Sequence, residues 1–96
     1  MVKVSMAKAV EIGNYFKINW KVIPKSIWKY GLEVELEHGK RNKLTNITND
    51  NLYKTARIVI AHLSEFPDYY QRLKKMEKGA DKYWSKRKKN NLFRII

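Results

Sequence analysis

The stretch NLYKTARIVIAHLSEFPDYYQRLKKME, residues 51–77, decides the fold, because it combines the clearest helical periodicity of the chain with a proline at its centre. Apolar residues in its first half recur at the spacing of one helix face: Leu52, Ala56, Val59, Ile60 and Leu63. Pro67 disfavours helical geometry at Phe66 and suits the first turn of a new helix, where Asp68 would complement the helix dipole. This stretch therefore predicts two helices that meet at a corner around Phe66-Pro67.

The helix that follows the corner is predicted over residues 67–88. Its buried side is expected to consist of apolar residues at helical spacing: Tyr69 or Tyr70, Leu73, Met76, Ala80, and Tyr83 or Trp84. One ring of the Tyr69-Tyr70 pair should pack inward. Gly79 is the weak point of this helix, because glycine lowers helix stability relative to alanine.

Residues 24–39, PKSIWKYGLEVELEHG, fit two patterns. Leu32, Val34 and Leu36 alternate with glutamates, as in a half-buried strand. Over the whole segment, however, the residues recur at the spacing of one helix face: Ile27, Tyr30 or Gly31, Val34 and His38, with Trp28, Leu32 and Leu36 beside them. The helix is favoured, because Pro24 fits a helix start and Gly39 fits the position after a helix end. Glu33 and Glu37 would then share an exposed face, and Gly31 would permit close contact with another helix.

The remaining segments are predicted as follows. Residues 1–13 form a short amphipathic helix that stops at Gly13-Asn14, and residues 15–23 form an extended linker whose aromatic rings cap the core. Thr48, Asn49 or Asp50 caps the helix within residues 51–77. The chain is expected to be a small all-α domain of three or four helices, divided into a basic N-terminal arm (1–23), a helical core (24–88) and a C-terminal tail (89–96).

Length and composition restrict the class of protein. A chain of 96 residues forms one domain with a modest core, so an enclosed active-site cavity is not expected. Without cysteine there is neither a disulfide framework nor a thiolate metal site. Charged residues interrupt the apolar residues near the N-terminus, so we expect no transmembrane segment and no secretion signal.

The charge distribution is uneven. The formal net charge is +12, from 21 Lys and Arg against 9 Asp and Glu. Residues 1–31 contribute +5, residues 32–71 contribute −1 and residues 72–96 contribute +8. Basic ends around a neutral centre favour a polyanionic partner. Nucleic acid is favoured over an anionic membrane or an acidic protein. The plainer interpretation is a lysine-rich surface that keeps a small protein in solution.

A row of lysines in the last predicted helix is the strongest candidate site. Steps of 3 and 4 residues place five of them on one face, with three further basic residues beside them: Lys75, Lys78, Lys82, Lys86 and Lys89, flanked by Lys74, Arg87 and Lys88. Such a row could meet several phosphates and would bind in a salt-sensitive, largely sequence-independent manner. A solvated helix face is the alternative.

Two histidine-glutamate pairs form the second candidate. Glu35 precedes His38 by three residues and His62 precedes Glu65 by three, so on helices each pair shares a face. If the pairs converge, they form a hydrogen-bonded structural network or, as the weaker alternative, ligate a divalent metal. No recognised metal-ligand spacing is present.

Motifs for catalysis are missing from the sequence. It contains no glycine-rich phosphate loop, no nucleophile elbow and no serine-triad pattern. We therefore expect no enzymatic activity, no catalytic residue and no cofactor.

Three segments resemble a family of small uncharacterised domains from bacteriophages, large DNA viruses and some bacteria. They are GLEVELEHG (31–39), TNITNDN (45–51) and KTARIVIAHLSEFPDYYQRLKKME (54–77), which follow the pattern GxxVExEHG, TNxTND and AHLxExPDYYxxL. The signature positions are Glu35, Glu37, His38, His62, Glu65, Pro67, Tyr69 and Tyr70. The resemblance implies a compact helical domain in a viral or phage context, located in the host cytoplasm or associated with the virion.

These observations lead to three hypotheses of function. The first is a non-enzymatic accessory or virion-associated protein whose basic C-terminal helix contacts nucleic acid or another polyanion. The second is a structural interaction module, such as a minor capsid-type component, with an acidic viral or host protein as partner. The third and weakest is a metal-dependent hydrolase that uses His38 and His62.

Overall fold

Four α-helices form the described part of the chain. The computed structural model describes residues 2–41 and 51–85, apart from the side chains of Arg41 and Trp84. Within these ranges the helices are α1 (Met6–Tyr15), α2 (Lys25–Arg41), α3 (Leu52–Glu65) and α4 (Tyr69–Trp84), and there is no strand. The predicted all-α class, the helix in residues 24–39 and the helical hairpin around Phe66-Pro67 are confirmed.

The central helix is α2, which packs against α1, α3 and α4. Trp28 and Leu32 are fully buried, and the Trp28 indole N–H donates a hydrogen bond of 2.8 Å to the carbonyl of Ala9, which ties α1 to α2. Ala56 and Val59 of α3 are also fully buried. Because α2 has neighbours on several sides, its apolar residues cover a wide part of its surface, and this explains the strand-like alternation in its sequence.

Gly31 lies where three helices approach one another, as its position in α2 predicts. A Cβ atom at Gly31 would lie 2.8 Å from Cε2 of Tyr70 and 2.9 Å from Cγ1 of Val59. Real Cβ atoms do not approach other atoms so closely. The glycine therefore allows α3 and α4 to contact the backbone of α2.

The predicted stop of α1 at Gly13-Asn14 is wrong, since the helix continues to Tyr15. It ends when the N–H of Lys17 bonds to the Asn14 carbonyl and the N–H of Ile18 bonds to the Gly13 carbonyl, with Lys17 in the left-handed region at φ 59°. This is a Schellman motif with lysine in the position that glycine usually takes. Gly13 serves packing instead, because a Cβ there would overlap the ring of Trp20.

The segment between α1 and α2 is not extended, contrary to the prediction. The N–H groups of Val22 and Ile23 both bond to the carbonyl of Asn19, which forms a turn. Phe16, Ile18 and Trp20 are partly buried against the core. The predicted role of the aromatic rings in covering the core is therefore confirmed for Phe16 and Trp20, whereas Tyr15 is 68% exposed.

Several helix boundaries differ from the prediction. Gly39 is buried inside α2, which continues to Arg41. The N-cap of α3 is Asn51, whose side chain accepts a hydrogen bond from the N–H of Lys54, while the predicted caps Thr48, Asn49 and Asp50 lie outside the described residues. Pro67 and Asp68 form a turn, so α4 begins at Tyr69. It ends at Trp84 with Ser85 as C-cap, and the predicted continuation to residue 88 and the tail at 89–96 lie beyond the described residues.

Glu33 is buried, although its spacing with Glu37 predicts an exposed face. Only 4% of Glu33 is exposed, and its Oε2 atom accepts hydrogen bonds from the N–H of Val4 at 2.8 Å and from Lys29 at 3.0 Å. Glu37 accepts a third bond, from the N–H of Val2 at 3.1 Å. Alternate N–H groups of an extended chain point the same way, so two glutamates one turn apart hold the N-terminal segment along α2.

The buried side predicted for α4 is correct only in its first half. Tyr70 is fully buried and Leu73 is partly buried, but Met76 is 66% exposed and Ala80 is exposed. Tyr83 is 52% exposed, and the side chain of Trp84, its predicted alternative, lies outside the described part of the chain. Glu77 is the last half-buried residue of α4 before a run of exposed ones. The distal half of α4 therefore projects from the other described helices.

Candidate nucleic-acid interface and polar network

The lysines of α4 share one flank of that helix. Lys74, Lys75, Lys78 and Lys82 are all exposed. At about 100° per residue they lie within an arc of roughly 100°, and they extend over about 12 Å of helix axis. The other predicted members of this set, Lys86, Arg87, Lys88 and Lys89, lie outside the described residues. We call the four described residues the lysine flank.

Within residues 2–41 and 51–85, no ion pair joins a lysine of the lysine flank to a carboxylate. Among the described residues, the ion pairs of α4 join Arg72 to Asp68 at 2.9 Å and Glu77 to His38 at 2.9 Å. Asp68 and Glu77 are therefore engaged elsewhere. Asp81, the other carboxylate of α4, is exposed beside the flank but forms no ion pair with any of its four lysines within the described residues. The four ammonium groups present their charge to solvent, as the binding of a polyanion requires.

The opposite flank of α4 is apolar and also exposed. A shallow groove of about 250 Å³ is lined by Phe66, Tyr69, Arg72, Leu73 and Met76. The guanidinium of Arg72 lies over the ring of Phe66, at 4.3 Å from its centroid. The helix therefore has two different flanks, one cationic and one apolar.

Beneath α4, a polar network joins three helices at Glu35. The side chain of Glu35 is only 10% exposed. Its Oε2 atom accepts a hydrogen bond of 2.8 Å from the hydroxyl of Tyr70 and lies 3.5 Å from Nε2 of His62. Its Oε1 atom lies 3.9 Å from Nδ1 of His38. One carboxylate thus lies between both histidines and a tyrosine of α4.

His38 extends this network to α4 a second time. Its Nε2 atom is 2.9 Å from Oε1 of Glu77. Since an ionised carboxylate only accepts hydrogen bonds, the proton of this bond belongs to Nε2. The imidazole of His62, in turn, stacks on the ring of Tyr69 with centroids 4.2 Å apart and planes within 4° of parallel.

Of the four residues that the sequence singles out for this network, the structure brings together Glu35, His38 and His62. Glu65 is exposed, and it acts at a distance through its charge on Tyr69. Within residues 2–41 and 51–85, no group of three or more His, Asp or Glu side chains is arranged to hold a metal ion. The geometry gives the metal alternative no support.

The network and its burial keep both tyrosines neutral. Burial raises the pKa of Tyr70 far above its usual value, and the charge of Glu35 and the hydrogen bond to Glu35 add to this effect. Burial also raises the pKa of Tyr69, followed by the charges of Glu35, Glu65 and Glu77. The Tyr70 hydroxyl therefore keeps its proton and donates the hydrogen bond to Glu35 that holds α4 against α2.

Two members of the network, Tyr70 and Glu77, were not recognised from the sequence as partners of Glu35 and His38. They lie seven residues apart, close to two helical turns, and so occupy the same face of α4. That spacing was a usable signal. Because both contacts hold the first half of α4 on α2, they determine the direction in which the lysine flank points.

No helix in the two described ranges is long and apolar enough to cross a membrane.

Comparisons with known proteins identify one family. No curated protein and no solved structure matches the chain significantly. The model of the family described as "Protein of unknown function (DUF5661)" matches residues 9–79, from within α1 to the second half of α4. Since this match covers well over half of the 96 residues, the chain belongs to the DUF5661 family.

Proposed function

We propose that this protein is a non-enzymatic accessory or virion-associated protein of viral or phage origin that binds a polyanion, in the first place nucleic acid, through the lysine flank of α4. The observation that carries the proposal is the exposure of Lys74, Lys75, Lys78 and Lys82 along one flank of a projecting helix, without carboxylate partners among the described residues. Family membership supports neither a substrate nor a partner.

The physical basis of the proposal is counterion release. Each phosphate neutralised by a lysine releases a condensed cation, so the logarithm of the binding constant falls linearly with the logarithm of salt concentration. For four lysine contacts, the expected slope is about −3 to −4 on duplex DNA and about −3 on a single strand. Basic residues outside the described ranges would steepen the slope.

The test compares two triple variants of equal charge. Lys75, Lys78 and Lys82 are changed to glutamate in the first variant; in the control, Lys21, Lys54 and Arg57 are changed, which are exposed residues outside α4. Each triple lowers the formal net charge by 6, from +12 to +6. Nucleic-acid affinity is then measured by fluorescence anisotropy across a range of salt concentrations, with circular dichroism to check folding.

The first variant should lose nearly all binding, whereas the control should retain most of it with an unchanged salt slope, because its residues do not contact the phosphates. Equal losses in the two variants would show that net charge alone attracts the polyanion and that α4 has no special role. Failure of the unaltered protein to bind at low salt would remove the proposal altogether.

A second candidate function is an interaction module, such as a minor capsid-type component, without a nucleic-acid role. The exposed apolar flank of α4 favours it, since Phe66 is 46% exposed beside the groove that contains Met76. Contiguous exposed apolar surface often marks a protein-binding site. An acidic partner would complement the charge of the chain. The salt titration separates the two candidates, because this one predicts no salt-dependent nucleic-acid binding.

A further inference from the structure

A second groove lies on the cationic side of α4, between this helix and the first turns of α2. It has a volume of about 220 Å³ and is lined by Ile27, Tyr30, Tyr70, Gln71 and Lys74. Lys74 also belongs to the lysine flank, so the groove and the row of ammonium groups form one continuous surface. Gln71 and Lys74 are exposed at its edge, and Tyr30 is half-buried.

The lining combines the three kinds of group that recognise a nucleobase. Tyr30 and Ile27 offer an aromatic ring and an aliphatic side chain for the flat surface of a base, and the Tyr30 ring is held edge-on against Tyr70 at a centroid distance of 6.4 Å. The amide of Gln71 can both donate and accept hydrogen bonds at a base edge. Lys74, exposed at the edge of the groove, offers an ammonium group to a phosphate.

We infer that this groove accepts an unstacked base of single-stranded nucleic acid while Lys74, Lys75, Lys78 and Lys82 follow its phosphates. The inference rests on the proposed function and specifies the class of nucleic acid. The volume of the groove is below the roughly 300 Å³ of pockets that enclose drug-sized ligands, so the groove has room for a single ring system. A duplex keeps its bases stacked inside the helix and cannot fill the groove.

Position distinguishes this groove from the apolar one around Phe66. That groove lies on the other flank of α4, away from the lysines, and each of its two rings already has a side chain stacked on one face. Arg72 covers Phe66, and His62 stacks on Tyr69. A strand that follows the lysine flank therefore meets Tyr30 and Gln71.

The test compares a single strand of about 12 nucleotides, a length within the usual range of single-strand binding sites, with an abasic strand of the same length and with a duplex. The abasic strand keeps the phosphates but has no bases. Stacking of one base should make the normal strand bind at least about fivefold more tightly than the abasic strand at equal salt concentration.

Three variants locate the effect. Gln71→Ala and Tyr30→Leu should reduce the ratio of the two affinities toward one and leave the salt slope unchanged. Because Gln71 is exposed, its variant remains informative even if Tyr30→Leu does not fold. Met76→Ala, on the apolar flank, is the matched control and should leave the ratio unchanged.

Three outcomes would overturn the inference while the proposed function stands: equal affinity for the normal and abasic strands, tighter binding of the duplex, or a ratio that neither groove variant changes. If none of the nucleic acids binds at low salt, both the inference and the proposed function fail. Binding to anionic lipid vesicles alone would have the same consequence.

Discussion

At the scale of single residues, two glycines of this chain have opposite effects on stability. Gly31 lies in the closest contact between α2, α3 and α4, while nothing lies within 4 Å of a Cβ atom built on Gly79. Both are helical, so both carry the entropic cost of glycine in a helix. Only at Gly31 does close packing offset that cost.

A pair of alanine substitutions tests this difference. Gly31→Ala should destabilise the fold by about 1–3 kcal/mol, because the added methyl group forces Tyr70 and Val59 to move. Gly79→Ala should stabilise α4 by about 0.5–1 kcal/mol. Urea unfolding followed by circular dichroism measures both changes. Similar effects of the two substitutions would contradict this account of Gly31.

Glu33 shows how the surroundings of one carboxylate determine its titration. Burial, the largest influence, raises its pKa, but the hydrogen bond from the N–H of Val4 and the contacts with Lys29 outweigh burial and hold the pKa below its usual 4.5. A carboxyl group whose pKa is lowered by folding stabilises the fold at pH values above the pKa that the same group has in the unfolded chain. That stabilisation is lost as the pH falls from about 4.5 through the pKa of the folded protein.

Glu33→Gln should therefore cost about 1–3 kcal/mol near neutral pH and much less in acid. The measurement is the free energy of unfolding of both proteins from pH 7 downward. Glu11→Gln is the control, because Glu11 is exposed and pairs with Lys8 at the surface. If the difference between wild type and Glu33→Gln does not change with pH, the buried carboxylate is not the source of stabilisation.

At the scale of the elements, α4 is held at one end and projects at the other. Tyr70 and Glu77 attach the part of α4 up to its middle to Glu35 and His38 of α2, and residues 78–83 are exposed. Helical periodicity correctly predicts that one tyrosine of the pair packs inward. It wrongly extends the buried side to Met76 and Ala80, because periodicity identifies an apolar stripe without showing how far the neighbouring helices reach.

The attachment of α4 should depend on pH in the alkaline range. Since the pKa of Tyr70 is raised above its usual 10, neutral Tyr70 stabilises the fold below pH 10, and this contribution falls as the pH rises toward the pKa of the folded protein. Tyr70→Phe should cost about 1–3 kcal/mol at neutral pH, because Glu35 loses a donor, and less above pH 10.

The measurement is urea unfolding of wild type and variant between neutral and alkaline pH. Tyr15→Phe is the control, since its ring is 68% exposed. Hydrogen exchange adds a local measurement: Tyr70→Phe should increase exchange in α4 before it does so in α2 or α3. Uniform loss of protection across all helices would show that α4 is not a separately anchored element.

At the scale of the whole molecule, charge opposes compactness. A net charge of +12 on 96 residues repels itself more strongly in the folded state than in the expanded unfolded chain. Salt screens this repulsion, and the screening length falls from about 30 Å at 0.01 M to about 10 Å at 0.1 M. Added sodium chloride should therefore stabilise the fold.

The midpoint of thermal unfolding should rise by several degrees between about 0.01 M and about 0.1 M salt. For a domain of this size, about 1 kcal/mol of added stability corresponds to a rise of roughly 4–8 °C. The triple change of Lys75, Lys78 and Lys82 to glutamate, at +6, should show a smaller rise. A midpoint that falls with salt would mean that attractive ion pairs outweigh the repulsion.

The sequence by itself determined the all-α class, the corner at Phe66-Pro67, the contact role of Gly31 and the alignment of Lys74, Lys75, Lys78 and Lys82 on one flank of a helix. All of these depend on local spacing, which a helix converts directly into shared faces. Only the tertiary structure decided that Glu33 is buried under the N-terminal segment, that His38 and His62 meet at Glu35, and that a groove forms between Tyr30 and Gln71. These contacts join residues far apart along the chain, and helical periodicity does not specify which faces of different helices meet.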